Sequence, residues 1–133
     1  VAVDEKGIVA AGPSTGGVGH EIPGRVSDSA SVAGTFADSA GGVSCTGKGE
    51  HIINQAVAAQ VVSRLRDNIP LKRILTELMK EGASRKHEFG LISLDRNGKF
   101  GVRSTRRSIS VLYALKDSQH ELNFTDGGRN LIL

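Results

Sequence analysis

Residues 12–49 are dense in glycine, serine and threonine and include Pro13 and Pro23, so long regular elements are not expected there. Such a stretch offers backbone amides and hydroxyls instead, and it is either a flexible linker or a site. Three features oppose a linker. Arg25 and Asp28 sit at defined places, the length is unusual for a structureless segment, and Ile22, Val26, Val32, Phe36 and Val43 are interspersed, which is expected to anchor it.

Regular structure is expected on both sides. Residues 1–3 and 8–11 are short apolar runs around Asp4-Glu5-Lys6-Gly7, whose glycine admits the positive φ of a tight turn, and they read as a β-hairpin. Over residues 50–67, Ile53, Ala56, Val57, Val61 and Leu65 recur at helical spacing, with Ile52, Ala59 and Val62 widening the stripe. This predicts one well-buried helix. Asn68-Ile69-Pro70 breaks it, because proline disfavours helical geometry in the residue before it. Leu71, Ile74, Leu75, Leu78 and Met79 start a second amphipathic helix that Gly82 is expected to end. Residues 89–94 and 100–102 flank Asp95-Arg96-Asn97-Gly98, and Asn-Gly is a strong hairpin signal; residues 109–115 make a further strand. The order predicts an α+β fold with helices on one face of an antiparallel sheet.

A chain of 133 residues can bury one core but not two ordinary ones, so residues 1–133 are expected to form a single domain. With 38% apolar residues, and no apolar run near the roughly 18 that span a bilayer, the chain is expected to be soluble and away from membranes. The net charge of +3 is scattered and aromatics are only 4%, which leaves few platforms for bases; a solvated surface is expected, with no nucleic-acid partner. The single cysteine, Cys45, excludes an internal disulfide, and nothing points to an oxidising compartment, so a cytoplasmic location is expected. The sequon Asn123-Phe124-Thr125 would matter only in a secreted protein.

Gly42-Val43-Ser44-Cys45-Thr46-Gly47-Lys48 has the phosphate-loop spacing G-x-x-x-x-G-K in front of a helix. Two requirements fail: Gly49 stands where a hydroxyl should ligate magnesium, and no parallel βαβ pattern surrounds the loop. What remains is Thr46 beside Gly47 at a helix amino terminus, able to aim a hydroxyl and a backbone N–H at one point, as an oxyanion hole does. Upstream, Ser14-Thr15-Gly16-Gly17 places hydroxyls after the hairpin, and Pro23-Gly24-Arg25-Val26-Ser27-Asp28 sets a guanidinium and a carboxylate in a constrained turn. Arginine grips a carboxylate bidentately and aspartate holds an ammonium. The two either recognise the zwitterionic end of an amino acid or form a surface ion pair with each other.

Taken in order behind VAVDEKG, the segments STGG, PGRVSDS, AGTFAD and SCTGKGE make the chain resemble the β subunit of the plant-type asparaginases and isoaspartyl aminopeptidases. This family of N-terminal-nucleophile hydrolases also includes glycosylasparaginase and taspase. The resemblance implies half of a four-layer αββα sandwich, with antiparallel sheets and helices on the outer face. A separate α subunit, cut from the same precursor, would complete it, and such pairs would dimerise. The nucleophile would be a threonine heading the subunit four places before Val1, in a Thr-Val-Gly-Ala stretch, with its own α-amino group as base.

By the same resemblance Thr15 would hydrogen-bond the nucleophile, Arg25 would bind the substrate α-carboxylate and Asp28 its α-ammonium. The Thr46 hydroxyl and the Gly47 amide would form the oxyanion hole, and Gly49 would add a backbone contact. The reaction would be hydrolysis of L-asparagine or a β-aspartyl peptide through an acyl-enzyme, releasing L-aspartate. No cofactor or metal is implied for this chain, and any structural alkali cation would belong to the α subunit. Ser27 stands where the family usually has glycine, Ala30 replaces a common proline, Gly19-His20 replaces an Asn-Lys pair, and Arg106-Arg107 is unusual; these bear on substrate preference. His20 is expected at the pocket rim and Cys45 as a small buried hydrophobe. A glycosylasparaginase-type hydrolase, a non-catalytic relative and a nucleotide-binding module remain as alternatives.

Overall fold

The computed structural model describes residues 1–133 except 18, 107, 108, 110, 112, 118–122, 126–130 and 133, with the backbone alone described at 123–125 and 131–132. In chain order the elements are β1 (Ala2–Val3), β2 (Val9–Ala10), a 3₁₀ turn (Asp28–Ala30), β3 (Thr35–Ala37), β4 (Gly41–Gly47), α1 (Gly49–Gln55), α2 (Val57–Arg66), α3 (Leu71–Ser84), β5 (Phe89–Asp95), β6 (Phe100–Ser104), β7 (Tyr113–Leu115), β8 (Asn123–Thr125) and β9 (Leu131–Ile132). Strands β3-β4-β5-β6-β9 form one antiparallel sheet in that order, while β1–β2 and β7–β8 are two-stranded ribbons. The expected mixed α+β arrangement is present, with α2 over β3 and β4 and α3 over β6.

Both expected hairpins form. Asp4 accepts from the backbone N–H groups of Lys6 and Ile8 through Oδ1, and Gly7 at φ 77° closes that turn. At the second, Asp95 and Lys99 pair across the turn, Gly98 takes φ 82°, and β5 and β6 register Leu94 against Phe100.

The glycine-rich segment departs from expectation. Its last part is not a loop but the seven-residue strand β4, paired on both sides. Here glycine serves close packing. A Cβ on Gly41 would lie 2.5 Å from Leu65 Cδ1, and one on Gly42 would lie 2.9 Å from Val1 Cγ1 and Val9 Cγ1. Strand alternation therefore splits β4 between two faces. Val43 and Cys45 join Phe89 and Leu91 under the helices, and Gly42 makes room for the β1–β2 ribbon on the other face. The core lies in the helix-side layer, where Val57, Val61 and Val62 of α2 and Ile74, Leu75 and Leu78 of α3 are fully buried. Ile22, Val26 and Val32, expected as anchors, are 80%, 75% and 58% exposed; only Phe36 and Val43 of that set pack against the core. Apolar character alone did not say which residues of an irregular segment turn inward.

The single helix expected over residues 50–67 is two. Ala56 is left-handed, at φ 45° and ψ 47°, and its N–H closes α1 on Ile52 and Ile53 before α2 starts at Val57. The break rotates the stripe, so Ile52 is buried and Ile53 is 46% exposed. Helical spacing carries no mark of a one-residue kink. An exposed alanine in this region is strained by roughly 1–2 kcal/mol. Ala56→Gly is therefore expected to raise stability by about 0.5–1 kcal/mol, read from the urea midpoint, despite the added freedom of the unfolded chain. Gly82 does not end α3, which runs through Ser84. It is a contact point: a Cβ there would meet Thr105 Cγ2 at 2.8 Å and Phe89 Cε1 at 2.9 Å. The strand expected over residues 109–115 appears as Tyr113–Leu115 only, and positions 110 and 112 lie outside the described residues. Among the described residues no helix is long and apolar enough to cross a membrane.

Candidate functional site

Where β4 runs out of partners, the chain leaves a cleft of about 780 Å³. Its walls come from four separate parts of the chain, and the six residues singled out in the sequence, Thr15, Arg25, Asp28, Thr46, Gly47 and Gly49, all line it.

Thr46 and Gly47 are the last residues of β4 and both are exposed. Cys45 packs toward the core, so the alternating Thr46 side chain points to the opposite face. The N–H of Cys45 donates to Gly34 O at 2.8 Å, on the β3 side, whereas Lys48 donates to Glu88 O at 2.9 Å, on the β5 side. By ladder alternation the Gly47 N–H is directed like that of Cys45, past the end of β3 and off the sheet. Only glycine fits there: φ is 127°, and a Cβ would sit 2.6 Å from Glu88 O and 2.7 Å from Phe89 Cα. The G-x-x-x-x-G-K run is thus extended strand and not a phosphate cradle.

Arg25 is set by a turn that its own sequence encodes. Arg25 N–H donates to Ile22 O at 3.0 Å, with Pro23 and then Gly24 at φ 88° between them, the pattern of a type II turn. The alternative of an ion pair with Asp28 is not what forms. Arg25 Nη1 bonds Glu21 at 3.0 Å and Nη2 bonds Glu50 at 2.9 Å, so the guanidinium holds two carboxylates at once. The backbone N–H of Glu50, and then the Arg25 guanidinium, keep the Glu50 carboxyl below the usual carboxylate range. Asp28 is buried instead, 6% exposed, with Oδ1 taking a hydrogen bond from Ser27 Oγ at 3.0 Å. Its backbone packs on Gly34 and its side chain on Gly49, where an added Cβ would meet Ser27 Oγ and Asp28 Oδ1. Gly49 therefore lets the start of α1 close over the acid. Thr15 is exposed and its hydroxyl accepts the Gly17 N–H at 3.0 Å. His20, expected at the rim, is an exposed loop residue at φ 58° and does not line the cleft. Cys45 is half-buried against the core, and burial pushes its thiol pKa up, which suits the expected inert hydrophobe.

The sequence reading missed the second wall. Glu88 lines the cleft, and its carboxylate binds Lys48 Nζ at 2.5 Å and Arg106 Nη1 at 2.6 Å. Lys48 holds the Glu88 carboxyl below its usual range. Behind it His51 stacks on His87, with ring centroids 4.8 Å apart and planes 13° from parallel. His51 Nδ1 accepts the Glu88 N–H at 2.9 Å, so that nitrogen carries a lone pair. Gln55 Nε2 donates to Leu78 O, which turns Gln55 Oε1 to His87 Nδ1 at 2.9 Å and makes that nitrogen a donor. No sequence spacing links residues 51, 55, 87 and 88; the pairing of β4 with β5 does. Among the described residues no group of three metal-ligating side chains comes together.

Burial lowers the His87 pKa, aided by the adjacent His51 and Arg85. A depressed imidazole pKa means that the unfolded chain binds the proton more readily, so stability is lost as pH falls through the ordinary value of 6.5 toward the folded one. Melting temperature is expected to drop between about pH 7.5 and 5.5, and His87→Gln should shrink that drop. The lowered Glu50 and Glu88 act in the same direction below their ordinary 4.5.

Comparison with known proteins matches a family model described as asparaginase to residues 1–123. The isoaspartyl peptidase/L-asparaginase of Synechocystis sp. is 42% identical over 131 residues, which cover 96% of this chain and 39% of that protein. The plant-type L-asparaginase of Pyrococcus horikoshii is 34% identical over 124 residues, covering 91% of this chain and 40% of its own length. The isoaspartyl peptidase of Escherichia coli is 40% identical over 111 residues, 77% of this chain and 33% of that protein. The chain thus spans about two-fifths or less of these relatives. With a cleft lined by residues of the STGG, PGRVSDS and SCTGKGE segments, and a match along nearly its whole length, the chain belongs to the asparaginase family that includes the isoaspartyl peptidases.

Proposed function

We propose that this chain forms the substrate-binding and oxyanion-holding part of an enzyme that hydrolyses L-asparagine and β-aspartyl peptides to L-aspartate. The observation that carries the reading is the convergence of Thr15, Arg25 and Asp28, and the Thr46–Gly49 junction of β4 with α1 on one cleft. Arg25, whose guanidinium already binds two carboxylates, takes the substrate α-carboxylate, and the buried Asp28 takes the α-ammonium. A threonine four places before Val1 heads the subunit and attacks the side-chain carbonyl carbon, with its α-amino group accepting the hydroxyl proton. Negative charge then develops on the carbonyl oxygen, where the Thr46 hydroxyl and the Gly47 N–H donate to it. Collapse expels ammonia or the peptide amine, protonated by that same amino group, and leaves an acyl-threonine. Water hydrolyses this ester to aspartate. Thr15 hydrogen-bonds the nucleophile and holds it in line. The α subunit from the same precursor closes the other side of the cleft and completes the αββα sandwich, and αβ pairs dimerise.

The complete protein tests this. Intact-mass and amino-terminal analysis should find threonine at the head of the subunit, and the same sample should release aspartate from asparagine and from a β-aspartyl dipeptide. A threonine-headed preparation that releases none from either would overturn the reading.

A further inference from the structure

The two ends of the cleft are oppositely charged. At the Arg25 end one cation binds Glu21 and Glu50, and the buried Asp28 lines the same cleft, which suits a group carrying an ammonium as well as a carboxylate. At the other end Lys48 and Glu88 line the cleft, and Arg106, just outside the lining, shares the single Glu88 carboxylate with Lys48. Each Glu88 oxygen meets a different cation, Oε2 the ammonium and Oε1 the guanidinium, so the pair is already spaced to grip a carboxylate from two sides. Among the described residues neither cation has another side-chain partner, which leaves N–H donors on both. Their placement is fixed by backbone. Lys48 N–H bonds Glu88 O, Thr105 N–H bonds Phe89 O, and the Arg106 carbonyl accepts the N–H of Ile109, which lines the cleft. Thr46 and Gly47 directly precede Lys48 in the chain and line the same cleft.

We propose that Lys48 and Arg106, templated by Glu88, form a second carboxylate-binding point that takes the C-terminal carboxylate of the residue leaving a β-aspartyl bond. A β-aspartyl dipeptide is a zwitterion at one end and a single carboxylate at the other, which matches the polarity of the cleft. Asparagine has nothing to place there. This deepens the function proposed above and rests on it: the site is built for β-aspartyl peptides with a free C-terminus, and asparagine uses half of it.

The test uses the complete enzyme and three substrates: a β-aspartyl dipeptide, the same dipeptide with a C-terminal amide, and L-asparagine. The unsubstituted enzyme should show a KM for the free acid roughly fivefold below that for the amide, a margin typical of exposed charge pairs, and the margin should shrink at high salt. The double variant Lys48→Met/Arg106→Met should raise KM for the acid alone, erase the acid-over-amide preference and leave kcat and asparagine turnover in place. Equal KM for acid and amide in the unsubstituted enzyme would overturn this inference while leaving the proposed hydrolase intact. A variant that loses all three substrates in parallel would also overturn it, showing a structural role. Absence of aspartate from every substrate would overturn the proposed function itself, and this inference with it.

Discussion

Arg25→Ala in the complete enzyme should lower kcat/KM for β-aspartyl dipeptide and asparagine by on the order of 10²–10³, because truncating one partner of a desolvated, hydrogen-bonded charge pair also leaves the other charge unpaired. The substrate carboxylate would enter a cleft that still contains Glu21, Glu50 and Asp28 but has lost the guanidinium that binds two of them. Arg25→Lys should recover little, since an ammonium cannot bond both oxygens through a planar fork. Fold stability should barely change: the Arg25 side chain is 33% exposed and Glu50 69%, and such pairs contribute little to folding. Steady-state kinetics beside a melting curve decide the matter. Activity kept in Arg25→Ala, or activity and melting temperature lost together, would remove the recognition role.

Phe89→Ala should destabilise the fold by about 3–5 kcal/mol, the range for deleting a fully buried phenylalanine where the surroundings collapse only in part. Phe89 has no exposed surface, belongs to the main core, and its ring lies where any Cβ on Gly82 would strike it. Helix α3 cannot move in to fill the void without disturbing Thr105, which accepts the Phe89 N–H and donates back to its carbonyl. The urea midpoint should fall with the slope unchanged. A loss below about 1 kcal/mol would mean that the core closes over the gap. Phe89 also pairs with Gly47 across β4 and β5, so the variant should loosen the strand end carrying Thr46 and Gly47.

Much of this fold is legible because the signals are local. Asn97-Gly98 specifies its hairpin, Pro70 separates α2 from α3, and Ile74, Leu75 and Leu78 mark the buried side of α3 by spacing alone. Strand β4 was not legible, since glycine signals a loop unless a neighbour presses on it, and here Leu65 and the β1–β2 ribbon do. Nor was the kink at Ala56, which lies between two stretches of the same hydrophobic period.

The site divides in the same way. Its candidate residues were named from the sequence: Arg25, Asp28, Thr46 and Gly47 by residue type and local setting, Thr15 and Gly49 by the family resemblance, and all six line the cleft. Their partners were decided by the tertiary structure. Arg25 and Asp28, three positions apart and of opposite charge, do not meet, because the turn sends one to Glu21 and Glu50 and buries the other beneath Gly49. Lys48, Glu88 and Arg106 do meet, although long stretches of chain separate them, because β4 and β5 pair and the turn after β6 folds back on both. Charge acts through distance in space, and for residues in different elements that distance is set by strand pairing and packing.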